Sequence, residues 1–553
     1  MNHNPFSGTK PRVLIVDNNE RVKNMYRDLV AWWGFTPVLA HGMGNALVED
    51  AQQKARDNRC QLALIDLRLV DDLDEEDVSG LNLVPKIKPA ASIIISASVE
   101  IENVRLSLSD EIGAASYVGK GEGPEILKDK LEREARKLCA SWKEIVIEPN
   151  EILNYIAGIL CENIAVEYRD QILDVFVQMF PQARKLRLER LGTGATVSTY
   201  STVPRPKSVI LKVYEDDKQP VIVKLARAQK MSIEVERYRS YIEGRLKGYY
   251  HPLLSNSVIL WDVGGAVYTA LGSTDSLTFS RFYNEASFSD IEYSLTHFFR
   301  EIWSDLYTHP KERREVSLFE EYCRVWGKEW YERVCQFHPP DPRTLMQNRL
   351  PPHILPINPL AWLQENMGPA KENDRSIVKR TALAVTHGDL HGDNLLIDEN
   401  RHAWVIDFER SGEGHILQDF VELEGDIINR LMSAHENLPS FYQLCVDIAQ
   451  STQLQRLENL DRFQDAEIKK SMQTISLLRQ LAREITGIED ARQYLLGLLF
   501  NTLFRATITR ENKLSHSQYR ALMLASIICH RLEHWDEPWP PEEWKNLTKA
   551  GNG

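Results

Sequence analysis

The chain has 553 residues, of which 43% are apolar and 26% charged, with a formal net charge of −13. Such a composition argues against a disordered chain, and no apolar run reaches the roughly 18 residues that a membrane-spanning helix needs. The negative balance, with no basic cluster to offset it, argues against a nucleic acid as partner. A length prior of about 150 residues per domain predicts three or four domains. Met1 to Lys10 lacks the apolar core of a signal segment, so the expected location is cytoplasmic, with no membrane partner. Cys60, Cys139, Cys161, Cys323, Cys335, Cys445 and Cys529 form no C-x-x-C pair and read as scattered reduced thiols.

In chain order, Arg12 to Val16 is an apolar run of strand length that ends in Asp17-Asn18-Asn19-Glu20 and leads into an amphipathic helix from Arg21 to Trp33. Similar runs at Leu62 to Asp66, Ser92 to Ser96 and Ala115 to Gly119 alternate with helix-length segments. Strands buried on both faces and alternating with helices predict a doubly wound parallel sheet, with its working residues at the carboxyl ends of the strands. The polar residues found there are Asp17, Asn18, Asp66, Ser96 and Lys120.

With Gly113-Ala114-Ala115-Ser116-Tyr117, these residues resemble the active constellation of bacterial response-regulator receiver domains over roughly residues 10 to 140. The resemblance implies Asp66 as phosphoacceptor, Asp17 and Asn18 beside a magnesium ion, Ser96 as switching hydroxyl and Lys120 as counter-ion to the phosphate. It also implies a sensor histidine kinase as partner. Three departures stand out. Asn18 replaces the second acidic residue, Gly121 replaces the usual proline, and an acidic run from Asp71 to Asp77 lengthens the loop after Asp66.

Residues 141 to 185 read as a helical connector, with helix from about Glu151 to Phe180. Leu186 to Leu191 alternates like a strand and runs into Gly192-Thr193-Gly194-Ala195-Thr196. Glycines between strands let backbone amides approach phosphate oxygens, and the same pattern also serves an ordinary hairpin. Val221 to Leu225 is an apolar strand with one cation, Lys224, and ten residues later Glu234 opens a helical stretch. On that helix Glu234, Tyr238 and Tyr241 share a face, so Glu234 is a better partner for Lys224 than Glu236 is. Lys212, farther upstream in another apolar run, ranks behind Lys224. Ser257 to Val263 and Ala266 to Ala270 read as a hairpin turning at Gly264-Gly265, leading to a hinge around Leu271-Gly272-Ser273.

From Asp290 the pattern is mainly helical, and Pro339 to Asp374 is a proline-rich, aperiodic segment that reads first as a surface loop and second as a substrate-facing insertion. Next comes His387-Gly388-Asp389-Leu390-His391-Gly392-Asp393-Asn394, followed thirteen residues later by Asp407 in Val405-Ile406-Asp407-Phe408-Glu409. Two carboxylates and an amide at this spacing suit nucleotide-dependent phosphoryl transfer, where one carboxylate accepts a proton and the other groups hold magnesium. Between Asp426 and Trp544 the patterns are again helical, and Trp535, Trp539 and Trp544 belong to a tail expected to pack on them.

Together with the glycine loop, Lys224 and Glu234, this motif resembles the aminoglycoside phosphotransferase and choline kinase group over roughly residues 185 to 440. The resemblance implies ATP and Mg2+ as cofactors, Asp389 as catalytic base, and Asn394 and Asp407 as metal ligands. It implies Gly192, Gly194 and Lys224 on the nucleotide phosphates, with Glu234 holding the lysine. His391 and Asp393 either share in this site or order the loop.

The fold expected is a multidomain combination: a doubly wound receiver-like domain at 10–140, a connector at 141–185, a kinase-like N-lobe at 186–275 and a helical C-lobe at 276–545. The expected activity is transfer of phosphate to a hydroxyl acceptor that the sequence does not name. The alternatives are a non-catalytic scaffold and a protein kinase.

Overall fold

The computed structural model describes residues 10–71, 74, 76–97, 100–143, 145–160, 166–190, 208–216, 218–246, 251–269, 276–308, 313–314, 317–327, 329–337, 357–367, 381–432, 438–457, 460–507 and 516–545. The glycine loop with Gly192 and Gly194, the hinge at 271–273 and most of the segment 339–374 lie outside the described residues. The chain divides into two compact units. One comprises Met1–Leu191, Pro206–Ser232 and Leu254–Ala270; the other comprises Gly192–Arg205, Ile233–Leu253 and Leu271–Gly553.

The first unit begins with a five-stranded sheet, ordered β2-β1-β3-β4-β5, built from β1 (Arg12–Val16), β2 (Thr36–Leu39), β3 (Leu62–Asp66), β4 (Ala91–Ser96) and β5 (Ser116–Gly119). Every pairing is parallel. Helices α1 (Glu20–Trp32), α2 (Asn45–Asp57), α3 (Ser79–Leu83) and α4 (Ile101–Ser107) fill the crossovers, and α5 (Pro124–Leu138) follows the last strand. The alternating strand residues feed two cores, Leu14, Val16, Ala63 and Ile65 on one face and Val13, Ile15, Leu62 and Leu64 on the other. This is a receiver-like α/β fold. Asn19, immediately after the Asp17-Asn18 pair, caps α1 by accepting from the Arg21 and Val22 amides. The strand β2 escapes the apolar-run reading because it sits at the sheet edge and contains Pro37, which an edge tolerates.

A second sheet follows in the same unit, ordered β10-β11-β9-β8-β7-β6. Its strands are β6 (Val146–Glu148), β7 (Lys185–Arg190), β8 (Ser208–Glu215), β9 (Val221–Arg227), β10 (Leu254–Ile259) and β11 (Val263–Thr269), antiparallel except for the β6–β7 pair. Two helices, α6 (Glu151–Leu160) and α7 (Val166–Met179), cover one face with Ile152, Ile156 and Phe176 against Leu186, Leu211, Val223 and Leu225. Lys224 alternates with Val223 and Leu225 and so faces away from α6 and α7, yet it is only 3% exposed.

Two expectations here need correction. Gly264 and Gly265 lie inside β11 rather than at the hairpin tip, which is formed by residues 260–262. A Cβ on Gly264 would stand 2.8 Å from Met231 Cβ, and one on Gly265 would stand 2.7 Å from Val175 Cγ1. These glycines therefore admit neighbouring helices against the strand instead of turning it. Likewise Glu234 does not open its helix: α8 (Ala228–Arg237) starts six residues earlier, directly after β9. Glu234 is buried and Glu236 is exposed.

The second unit is mainly helical and holds two small sheets, ordered β12-β15-β16 and β13-β14-β17. These contain β12 (Leu277–Thr278), β13 (Arg313–Arg314), β14 (Thr381–Thr386), β15 (Leu395–Ile397), β16 (Ala403–Val405) and β17 (Gly412–His415). The helices Gln418–Asp426, Ala466–Thr486 and Arg492–Ala506 form much of the core behind them. Phe299 and Phe420 stack there with ring centroids 4.3 Å apart. Inside the proline-rich segment a helix, Pro359–Asn366, replaces the expected loop: Asn358 caps it and Pro359 takes the first helical position, where no amide is needed. The tryptophan tail packs as expected, with Trp539 Nε1 donating to Val446 O at 2.9 Å and Trp544 buried. No helix among the described residues is long and apolar enough to cross a membrane.

Candidate functional site

In the second unit β14 runs into His387-Gly388-Asp389, and β17 returns alongside it with Thr386 opposite Gly412. Gly388 has φ +78°, and a Cβ there would lie 2.4 Å from Arg410 O, so the loop requires glycine. The amides of His387 and Gly388 donate to the two carboxylate oxygens of Asp419 at 2.8 and 2.9 Å. The Tyr307 hydroxyl adds a third bond to Asp419 at 2.7 Å. Asp419 is fully buried; burial pushes its carboxyl above the usual range, while His387, Tyr307 and the two amides pull the other way.

The loop turns on itself. The His391 amide donates to Asp389 O at 2.9 Å, the Asn394 amide to His391 O at 2.9 Å, and Asn394 Nδ2 to Asp389 O at 2.9 Å. With its nitrogen used this way, the amide oxygen of Asn394 is the atom that could take a cation. Ile406 N donates to Asn394 O at 3.0 Å, and Leu395 pairs with Val405, so Asn394 and Asp407 are carried on adjacent strand ends. Asp407 has φ +70°, a left-handed conformation that costs a non-glycine residue about 1–3 kcal/mol and collects at functional positions. An amide oxygen and a carboxylate are hard donors of the kind magnesium takes, with the remaining positions left to water and phosphate. Among the described residues no group of three or more His, Cys, Asp or Glu side chains forms a metal cage, and a nucleotide-bound magnesium does not need one.

Asp389 is about one-third exposed, with Arg410 Nη1 3.4 Å from Oδ1 and His391 Nε2 4.0 Å from Oδ2. The Asp389 charge raises the Arg410 guanidinium above its ordinary range. Burial lowers His391 despite the carboxylates around it, and its Nδ1 accepts from the Asp393 amide at 3.2 Å. Asp393 is occupied elsewhere: it accepts from Ser280 Oγ at 2.6 Å and from Arg430 Nη1 at 2.9 Å. Arg430 also grips Asp426, whose Oδ2 accepts from the Gly392 amide at 2.9 Å. His391 and Asp393 thus order the loop. Sequence reasoning missed Asp419, Arg410, Arg430 and Asp426; the structure shows Asp419, Glu422, Glu424 and Asp426 as a run of carboxylates in a helix whose residues are all buried.

In the first unit Asp17, Asp66, Ser96 and Lys120 meet at the carboxyl ends of β1, β3, β4 and β5. Lys120 Nζ lies 3.0 Å from Asp66 Oδ2 and 3.3 Å from Asp17 Oδ2. Burial pulls its ammonium down, but the two carboxylates outweigh this and raise it. Asn18 Oδ1 is buried without a hydrogen-bond partner. Tyr117, pushed up by burial, hydrogen-bonds the Ser96 side chain. Within the acidic run, Asp77 turns its carboxylate onto the Val70, Asp71 and Ser79 amides.

The family described as Ternary complex associated domain 9 matches residues 348–503, a stretch that includes Asp389, Asn394, Asp407 and Asp419. No curated protein matches the chain. Among solved structures, the GDP and kanamycin complex of APH(2")-IIia is 13% identical, with 60% of this chain and 88% of that chain covered at a TM-score of 0.34. A response regulator from Thermotoga maritima is 19% identical, with 23% of this chain and 97% of that one covered at a TM-score of 0.19. The chemotaxis protein CheY4 of Vibrio cholerae is also 19% identical, covering 23% and 98% at a TM-score of 0.19.

Proposed function

We propose that the protein is an ATP- and magnesium-dependent phosphotransferase acting on a hydroxyl acceptor, with a receiver-like domain fused to a two-lobed, kinase-like catalytic part. The single observation that carries this reading is the loop Asp389–Asn394, clamped by Asp419 and adjoined by Asp407. In this reading Asp389 accepts the acceptor's hydroxyl proton, and its partial exposure leaves it open to that hydroxyl. Asn394 and Asp407 would hold magnesium, and a bound magnesium would neutralise charge on the nucleotide phosphates. Lys224 would serve those phosphates and Glu234 would hold the lysine, roles that the sequence motif implies. The antiparallel strand order β7-β8-β9-β11-β10, with the lysine on its central strand, supports the kinase-like reading.

The acceptor is a small molecule or a protein hydroxyl, and intact-mass measurement after incubation with ATP separates the two. Phosphate at Asp66, supplied by a sensor histidine kinase or a small phosphodonor, is the regulatory half of the proposal. Phosphate-affinity gels with such a donor test it, and equal labelling of wild type and Asp66→Ala would refute it. The enzymatic half is tested by ATP turnover with magnesium. A loss of about 10²–10⁴-fold is expected in Asp389→Ala with ATP binding retained. Binding without turnover in the wild type, over a broad metabolite pool, would favour a scaffold.

A further inference from the structure

We infer that Arg59, in the receiver-like part, is a positioning residue for the helix that carries Glu234. As a statement about catalysis, this rests on the phosphotransferase reading above. Arg59 lies between α2 and β3 and holds a left-handed backbone, φ +50°, in a segment fixed by Arg12 Nη1 donating to Asn58 O at 2.8 Å. Its guanidinium pairs with Asp262, in the tip of the β10–β11 hairpin. Gln171 of α7 binds the same residue twice, donating to Asp262 Oδ2 at 2.8 Å and accepting from its amide at 3.0 Å. Beside it, Trp261 Nε1 donates to Cys60 O at 2.9 Å.

The hairpin tip is therefore held from the receiver-like side by its side chains, and it passes that grip on through its backbone. Asp262 O accepts from the amide of Ala228 at 2.9 Å, and Ala228 is the first residue of α8. Met231, one turn on, packs against Gly264 of β11. Farther along the same chain segment, Glu234 is buried, and the Tyr238 ring meets Phe408, the neighbour of Asp407, edge-on at 5.2 Å. A helix moves as a rod, so displacing its first turn displaces Glu234. In kinase-like catalysis the helix that carries this glutamate must be in place for turnover. The Arg59–Asp262 pair is about one-quarter exposed, and pairs so open to solvent contribute little to stability. Its position on the α8 anchor is the feature that gives it a role.

The test uses the full chain and two independent readouts, hydrogen exchange of the amides from Ala228 to Val235 and magnesium-dependent ATP turnover. Arg59→Met and Asp262→Asn are each expected to speed exchange in α8 by about tenfold while leaving the β3 amides unchanged, and to lower kcat more than they raise KM for ATP. Arg59→Lys, which keeps the charge, is expected to recover part of both effects. Unchanged α8 exchange in both neutral variants would overturn the proposal. So would a global loss of stability in Arg59→Met, since the pair would then be glue for the whole fold. If α8 exchange responds while the wild type turns over no ATP, the clasp stands and the phosphotransferase reading fails.

Discussion

Asp66 ends a buried strand and Asp389 follows another, but their surroundings prepare them differently. Around Asp66 the charges are balanced by one lysine side chain, Lys120, shared with Asp17 and about one-quarter exposed. Around Asp389 the backbone itself is fixed, through amides that donate to a buried carboxylate, Asp419. A side-chain balance of the first kind can rearrange when a phosphate arrives. A backbone clamp of the second kind holds its geometry before any ligand arrives, which is what the acid–base role proposed for Asp389 requires.

The comparison breaks most readily at Asp419. Asp419→Ala leaves two buried amides and a buried phenol without their acceptor, and is expected to cost about 3–5 kcal/mol. Urea denaturation measures this, and a shift worth less than about 1 kcal/mol would show the clamp to be dispensable. Asp407 sharpens the contrast between strain and function. In Asp407→Gly, relief of the left-handed backbone offsets the added freedom of the unfolded chain, so stability should stay within about 1 kcal/mol of wild type. Nucleotide affinity with magnesium should nevertheless fall by about 10–100-fold in calorimetry. Unchanged affinity would remove Asp407 from the site.

The smallest effect is expected at Lys120. Because its folded-state ammonium is raised, its contribution to stability is fully present at neutral pH. That contribution is lost as pH rises above the ordinary lysine value of about 10.4 and through the folded value. The stability gap between wild type and Lys120→Met should therefore close in that alkaline range. A gap that widens there would mean that the two carboxylates do not hold the lysine.

How much of this was legible depended on how evenly a segment is buried. The strands Arg12–Val16 and Leu62–Asp66 coincide with their apolar runs because both faces are covered, so every residue carries the signal. The tip of the β10–β11 hairpin was misplaced because two glycines usually mark a turn, whereas here they make room for Met231, Val175 and Met179. Nothing local distinguishes those two uses. Asp389, Asn394 and Asp407 were readable as a spacing, since the proposed chemistry constrains them along the chain. Asp419 was not, because its role is defined by amides some thirty residues away. Arg59 lies still farther from its partner, 203 residues from Asp262, and only the fold joins them.

The central claim is that the Asp389 loop transfers phosphate. Its most direct test is release or transfer of the γ-phosphate of ATP in the presence of magnesium, compared between the full-length wild type and Asp389→Ala at matched nucleotide occupancy. The account predicts turnover in the wild type and a fall of about 10²–10⁴-fold in the variant with nucleotide still bound. Equal turnover in the two proteins would contradict it.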